Sequence, residues 1–152
     1  MRATVRPEGL LLEHLEDPGP WTEAAVDLKH VPDLFQPLAF TLAGRGIKSA
    51  MVGLDNLVVK ETDRLQAVGD VLRALGCTAG HRGGTFIQGG SITNKEPFSF
   101  DPNIDHRMAL SVAPLALVLE SVTVQDPDVV NKSYPLFWEH LAQAGYSIDR
   151  GR

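Results

Sequence analysis

Met51-Val52-Gly53-Leu54-Asp55-Asn56-Leu57-Val58-Val59-Lys60-Glu61-Thr62-Asp63-Arg64 is the stretch that decides the fold. The part before Lys60 is apolar and rich in β-branched side chains, which reads as a strand with a turn. Beyond Arg64, the residues Leu65, Val68, Leu72 and Leu75 recur at helical spacing as far as Gly76. Thr62 suits the N-cap, and Asp63 suits a first turn whose N–H groups favour a carboxylate. Lys60, Glu61 and Arg64 are thereby held at the mouth of a helix, an arrangement fit for an anion with an acid or base beside it. The same residues also fit a solvated, charged helix start.

On the N-terminal side, Ala3 to Leu15 reads as two short strands turned at Pro7 to Gly9. A loop at Asp17-Pro18-Gly19-Pro20 precedes an extended run around Ala25-Val26-Asp27-Leu28. His30-Val31-Pro32-Asp33 opens a helix with the stripe Leu34, Leu38 and Leu42, ending near Gly44 or Gly46. Pro37 would cost that helix a hydrogen bond, which moves its regular start toward Gln36.

On the C-terminal side, Cys77 to Gly80 and Thr85 to Gln88 read as two strands about Gly83-Gly84. A strand around Phe98-Ser99-Phe100 follows a polar loop. Asp105 to Glu120 is the most apolar segment and predicts a buried helix, kinked at Pro114. Ser121 to Val124 is a strand, and Asp126-Pro127-Asp128 a turn. The last helix carries Tyr134, Phe137, Leu141 and Ala144 inward. Alternating strands and helices give an α/β class, a sheet packed on largely buried helices.

With 152 residues, 43% hydrophobic and 22% charged, the chain is long enough to bury a core and has a globular composition. A net charge of −5 with no basic run argues against a nucleic-acid surface. Met108 to Leu119, the longest apolar stretch, is broken by Ser111 and Pro114 and too short to span a bilayer. Arg2, Arg6 and Glu8 leave no apolar leader, and Cys77 is the only cysteine, which points to a reducing cytoplasm. The histidines His14, His30, His81 and His140 show no metal-ligand spacing.

Four helix starts carry charge: Pro32-Asp33, Lys60 to Arg64, Asp105-His106-Arg107, and Lys132-Ser133-Tyr134-Pro135. In α/β layers such strand-to-helix junctions fall along one sheet edge, where ligands bind. Lys60, Arg64, Arg107 and Lys132 can then converge on a ligand with several negative charges, with Asp33 and Glu61 among them as proton-transfer candidates. Taken singly, Asp33 also fits an N-cap, Asn56 a turn, and Lys132 an ordinary surface lysine, while Arg107 could pair only with Asp105.

Lys-Glu-Thr-Asp-Arg, then Asp-His-Arg-Met-Ala, then Asn-Lys-Ser-Tyr-Pro, with Pro32-Asp33 upstream, resembles the C-terminal part of the 5-enolpyruvylshikimate-3-phosphate synthase family from about Ala3 to Tyr146. The resemblance implies βαβαββ units of the enolpyruvyl transferase fold. It implies that residues 1–152 are a single fragment, with the family's N-terminal domain absent. The implied reaction moves the carboxyvinyl group of phosphoenolpyruvate onto the 5-hydroxyl of shikimate 3-phosphate and releases phosphate, on the route to chorismate and the aromatic amino acids. It runs by addition and elimination through a tetrahedral intermediate, with no metal and no cofactor.

By the same resemblance, Asp33 contacts the shikimate hydroxyls and accepts a proton, Glu61 transfers a proton, and Asn56 and Lys60 contact shikimate 3-phosphate. Arg64, Arg107 and Lys132 match the cations that hold phosphoenolpyruvate, and His106 is a neighbouring polar residue. The implied partners are those two substrates and the absent N-terminal domain, so the fragment alone would be inactive. Leu136 replaces an acidic residue common after the Tyr-Pro pair, and Pro37 enters a helix usually free of proline. The rival reading is a non-catalytic anion-binding module.

Overall fold

The computed structural model describes residues 2–13, 22–57 and 63–149. Strands β1 (Arg2–Arg6) and β2 (Gly9–Glu13) form an antiparallel hairpin. Next come β3 (Glu23–Asp27), α1 (Phe35–Gly44), β4 (Lys48–Val52), α2 (Arg64–Ala74), β5 (Thr78–Arg82) and β6 (Thr85–Gly89). That order is one βαβαββ unit, and its strands lie as β3-β4-β6-β5. β3 and β4 are parallel, as a helical crossover requires, while β6 runs antiparallel to both neighbours. A parallel pair, β7 (Phe98–Phe100) and β8 (Val122–Val124), brackets α3 (His106–Val112), and α4 (Phe137–Gln143) closes the described chain.

Alternation along each strand decides which sheet face is covered. Met51 and Phe86 are fully buried on one side of β4 and β6, and Ser49 and Gln88 share that side. Helix α1 lies there: Phe35 packs edge-on against Phe86 with ring centroids 4.9 Å apart, and Gln88 Nε2 donates to the Ala39 carbonyl at 3.0 Å. From α2 come Leu65, Val68 and Leu72, all at zero exposure. One continuous core joins these to Met108, Val112 and Leu115 from the α3 region. No helix among the described residues is long and apolar enough to cross a membrane.

Several boundaries depart from the sequence expectations, each for a local reason. The strand expected from Met51 ends at Val52, and a 3-10 turn at Asp55–Leu57 follows, because Gly53 takes φ +78 and breaks the extended run. Helix α2 starts one residue later than expected. Its N-cap is Asp63, whose Oδ1 accepts from the Gln66 N–H at 3.1 Å, while Thr62 lies outside the described residues. Pro37 is harmless, since a 3-10 turn at Pro32–Leu34 precedes a helix whose first residue is Phe35, and a proline in the first turn loses no bond. Leu34 is consequently exposed, and the buried stripe runs through Phe35, Ala39 and Leu42 instead.

Pro114 does not kink a long helix; it ends α3 at Val112 and the chain tightens into a 3-10 turn over Ala113–Leu117. That shortens the buried stretch, and Leu117 faces solvent. Residues Pro127–Lys132 are a further 3-10 segment, packed on α3. Helix α4 starts only at Phe137, so Tyr134 precedes it and is exposed, and Ala144 is exposed beyond its end. On β1-β2, Val5 and Leu10 face each other across the hairpin beside Ala3 and Leu12, and this apolar face is exposed.

Cys77 is buried at the foot of β5, and loss of hydration raises its thiol above its ordinary value of 9.0. The folded state then holds the thiol proton more tightly than the unfolded chain does. This contribution to stability is intact below pH 9.0 and is lost as pH rises past it. At pH 8, labelling by a disulfide reagent should be more than about tenfold slower for the folded protein than in denaturant. Equal rates would show that the thiol is not sequestered.

Candidate functional site

Asp33 and Arg64 both follow the carboxyl ends of the parallel strands, Asp33 after β3 and Arg64 after β4, and that edge is where open α/β sheets bind ligands. Arg64 is the first residue of α2 and lies on its buried stripe, one turn before Val68 and two before Leu72. Helical periodicity therefore drives a guanidinium into the interior, where its residual exposure is 2%. Such a charge is tolerated only when paired.

The partner is Asp105, itself fully buried. Arg64 Nε donates to Asp105 Oδ2 at 2.9 Å, and Nη2 reaches Oδ1 at 3.4 Å. Asp105 is also the N-cap of α3, its Oδ1 accepting from the Arg107 N–H at 3.0 Å. One carboxylate thus closes a helix end and neutralises a buried cation from the neighbouring helix. Arg64 Nη1 donates to Asp33 Oδ1 at 3.1 Å, and Arg107 Nη2 lies 3.0 Å from Asp33 Oδ2. The result is an alternating row of charge, Asp105, Arg64, Asp33, Arg107, running from the core to solvent. Its outer members, Asp33 at 44% and Arg107 at 38% side-chain exposure, are open to a ligand.

Of the residues singled out from the sequence, Asp33, Arg64 and Arg107 meet in this row. The Arg107 guanidinium pairs with Asp33, while the Arg107 backbone N–H donates to Asp105. His106, the first residue of α3, is buried beside it in the chain. Lys132 ends the 3-10 segment packed on α3 and is exposed. Asn56 is exposed in the turn after β4. Lys60 and Glu61 lie outside the described residues.

Sequence reasoning missed two residues. Asp105 was legible as part of a charged helix start, but its service to Arg64 depends on the start of α2 meeting the start of α3. Gln36 was the other: it is fully buried on α1, a polar residue where the stripe wants an apolar one. A cavity of about 250 Å³ lies elsewhere, between the first turns of α2 and the loop before α3. It is lined by Asp63, Asp70, Asp101 and Met108 among others, and by none of Asp33, Arg64 and Arg107. Its aspartates already cap α2, bind Arg73 and close the Asp101 turn.

The comparisons agree on one family. A model described as EPSP synthase (3-phosphoshikimate 1-carboxyvinyltransferase) matches residues 1–141. The 3-phosphoshikimate 1-carboxyvinyltransferase of Methanosphaerula palustris is 34% identical over 95% of this chain and 33% of its own length. That of Aeropyrum pernix is 39% identical over 98% of this chain and 34% of its own. The solved EPSP synthase of Acinetobacter baumannii superposes with a TM-score of 0.66 at 28% identity, covering 78% of this chain and 28% of that one. The chain spans about a third of the length of these curated relatives.

The row of charges sets an order of severity for its members. Arg64→Ala strands the buried Asp105 carboxylate and should cost about 3–5 kcal/mol of stability. Arg107→Ala removes an exposed partner and should cost about 1 kcal/mol or less. Denaturant unfolding of both variants measures the difference, and equal costs would refute the central place given to the Arg64–Asp105 pair.

Proposed function

The chain belongs to the EPSP synthase (3-phosphoshikimate 1-carboxyvinyltransferase) family, and on that premise we propose that it supplies one wall of a carboxyvinyl transferase active site, working in the cytoplasm. The observation that carries the reading is Asp33 held between two arginines, Arg64 and Arg107, at the edge where the strands end.

On this reading, Arg64, Arg107 and Lys132 hold the carboxylate and phosphate of phosphoenolpyruvate. Asn56, Lys60 and Asp33 hold shikimate 3-phosphate. Asp33 accepts the proton of the 5-hydroxyl as its oxygen bonds to C2 of phosphoenolpyruvate, and Glu61 delivers a proton to the methylene carbon. The addition product then expels phosphate and gives back a methyl proton, leaving the enol ether. Asp33 suits the first step because two guanidinium donors fix its orientation. The arginines suit the rest because planar donors already in place stabilise charge without reorganising.

The second wall comes from the remainder of a family enzyme, the domain this chain pairs with. Two features support that. Asp33 and Arg107 are partly exposed to solvent, whereas enolpyruvyl transfer requires water to be shut out. The apolar face of the β1-β2 hairpin, with Val5 at 85% and Leu10 at 60% exposure, is surface that more of the same protein would cover.

Phosphate release in the presence of both substrates tests the reading. The chain alone should give none. Supplied in trans with the N-terminal two thirds of a 3-phosphoshikimate 1-carboxyvinyltransferase, it should restore turnover, and Asp33→Asn should abolish what is restored. No turnover from the mixture, when the two parts form a stable complex, would favour a non-catalytic anion-binding module instead.

A further inference from the structure

Gln36 is fully buried, yet neither Oε1 nor Nε2 has a hydrogen-bond partner among the described residues. A carboxamide withdrawn from water and left unbonded is costly, and methionine would fill the same space without that cost. Gln36 stands three residues after Asp33, and the backbone between them, at Leu34 and Phe35, is right-handed helical. Residues three apart on a helix lie side by side, roughly 5–6 Å between Cβ atoms. That spacing places Gln36 one turn along the helix from Asp33, a carboxylate that two arginines share.

That carboxylate is due to lose a partner. Asp33 accepts from Arg64 Nη1 and Arg107 Nη2, but the two arginines are not equally available. Arg64 is buried and tied to Asp105, whereas Arg107 is open to solvent. An incoming anion takes Arg107 and strips one donor from Asp33. A carboxylate has about four acceptor positions, so a replacement donor has a place to go.

We propose that Gln36 is the positioning residue that supplies it: when an anion draws Arg107 away, the Gln36 side chain turns and Nε2–H donates to Asp33. The carboxylate then keeps its orientation while its outer cation serves the ligand. The polar burial that weakens the empty protein becomes a hydrogen bond in the occupied one. The identity of the anion, phosphoenolpyruvate, rests on the function proposed above; the handover from Arg107 to Gln36 does not.

A double-mutant cycle tests the handover without any ligand, since Arg107→Ala removes the same donor that an anion would. In the native background, Gln36→Met should leave the unfolding equilibrium constant unchanged or lower it. In the Arg107→Ala background it should raise that constant about tenfold, the contribution of one hydrogen bond to a charged group. Gln36→Leu repeats the cycle with a different apolar shape. An equal effect in both backgrounds overturns the proposal, leaving Gln36 as a misplaced core residue.

Calorimetric titration with phosphoenolpyruvate supplies the second arm, in which Gln36→Met should weaken binding about tenfold without lowering stability. Unchanged binding by a stable variant also overturns the proposal. Coupling in the cycle with no phosphoenolpyruvate binding by the native chain would sustain the handover and count against the substrate reading. Binding without coupling would do the reverse.

Discussion

A guanidinium at 2% exposure against a carboxylate at zero is the constraint from which the rest of this structure follows. Neither Arg64 nor Asp105 could be buried alone, because a lone ion in the interior loses far more hydration than packing returns. Together they tie the start of α2 to the start of α3, and Asp105 also caps α3. The consequence reaches outward. Arg64 has a donor left over for Asp33, and Asp33 has an oxygen left over for Arg107. Three strand-to-helix junctions, far apart in sequence, are thereby locked by one alternating row whose inner end is structural and whose outer end is available.

The division of labour within the row follows from dielectric rather than from residue type. The buried end is screened little, so its geometry is rigid, and substitution there acts on folding. The exposed end is screened by water and salt, so the Arg107 to Asp33 contact is weak enough to exchange for a ligand. On the proposed reading, such a row keeps its preorganised part where solvent cannot disturb it and offers only the exchangeable part to a ligand. A single wall of this kind holds charges in place but cannot by itself exclude water.

Much of this was legible in the amino-acid order, because helical and strand periodicities are local. The α/β order is visible in the alternation of apolar segments, its βαβαββ form in the family resemblance, and α2 in the spacing of Leu65, Val68 and Leu72. The convergence of Asp33, Arg64 and Arg107 was legible as charge at successive helix starts, once those starts share a sheet edge. What was not legible is set by competition between neighbours. Leu34 fits an apolar stripe, but the 3-10 turn at Pro32–Leu34 rotates it to solvent and hands the core to Phe35. Pro114 reads as a kink, but the proline sits two residues past a helix of only two turns, so the helix ends instead of bending. Asp105 was seen as part of a charged motif and not as the counter-ion of Arg64, since nothing in spacing reveals which helices touch.

Gln36 marks the limit of pattern reading most clearly. Its position in α1 asks for an apolar side chain, and a reading by periodicity passes over a single polar exception. A buried carboxamide without partners lowers the stability of the free fold, and the sheet provides a ready contrast: Gln88, equally deep, spends its Nε2–H on the Ala39 carbonyl. The two glutamines share a core and a chemistry, yet one is anchored to a neighbouring backbone and the other is held one helical turn from the Asp33 carboxylate with nothing to bind. The difference between them is a difference of surroundings. Gln88 lies under α1 and bonds its Ala39 carbonyl, whereas Gln36 follows by three residues the Asp33 carboxylate that Arg107 pairs with. A polar group with no use in the empty state is best understood through the state in which its neighbour's bonding changes.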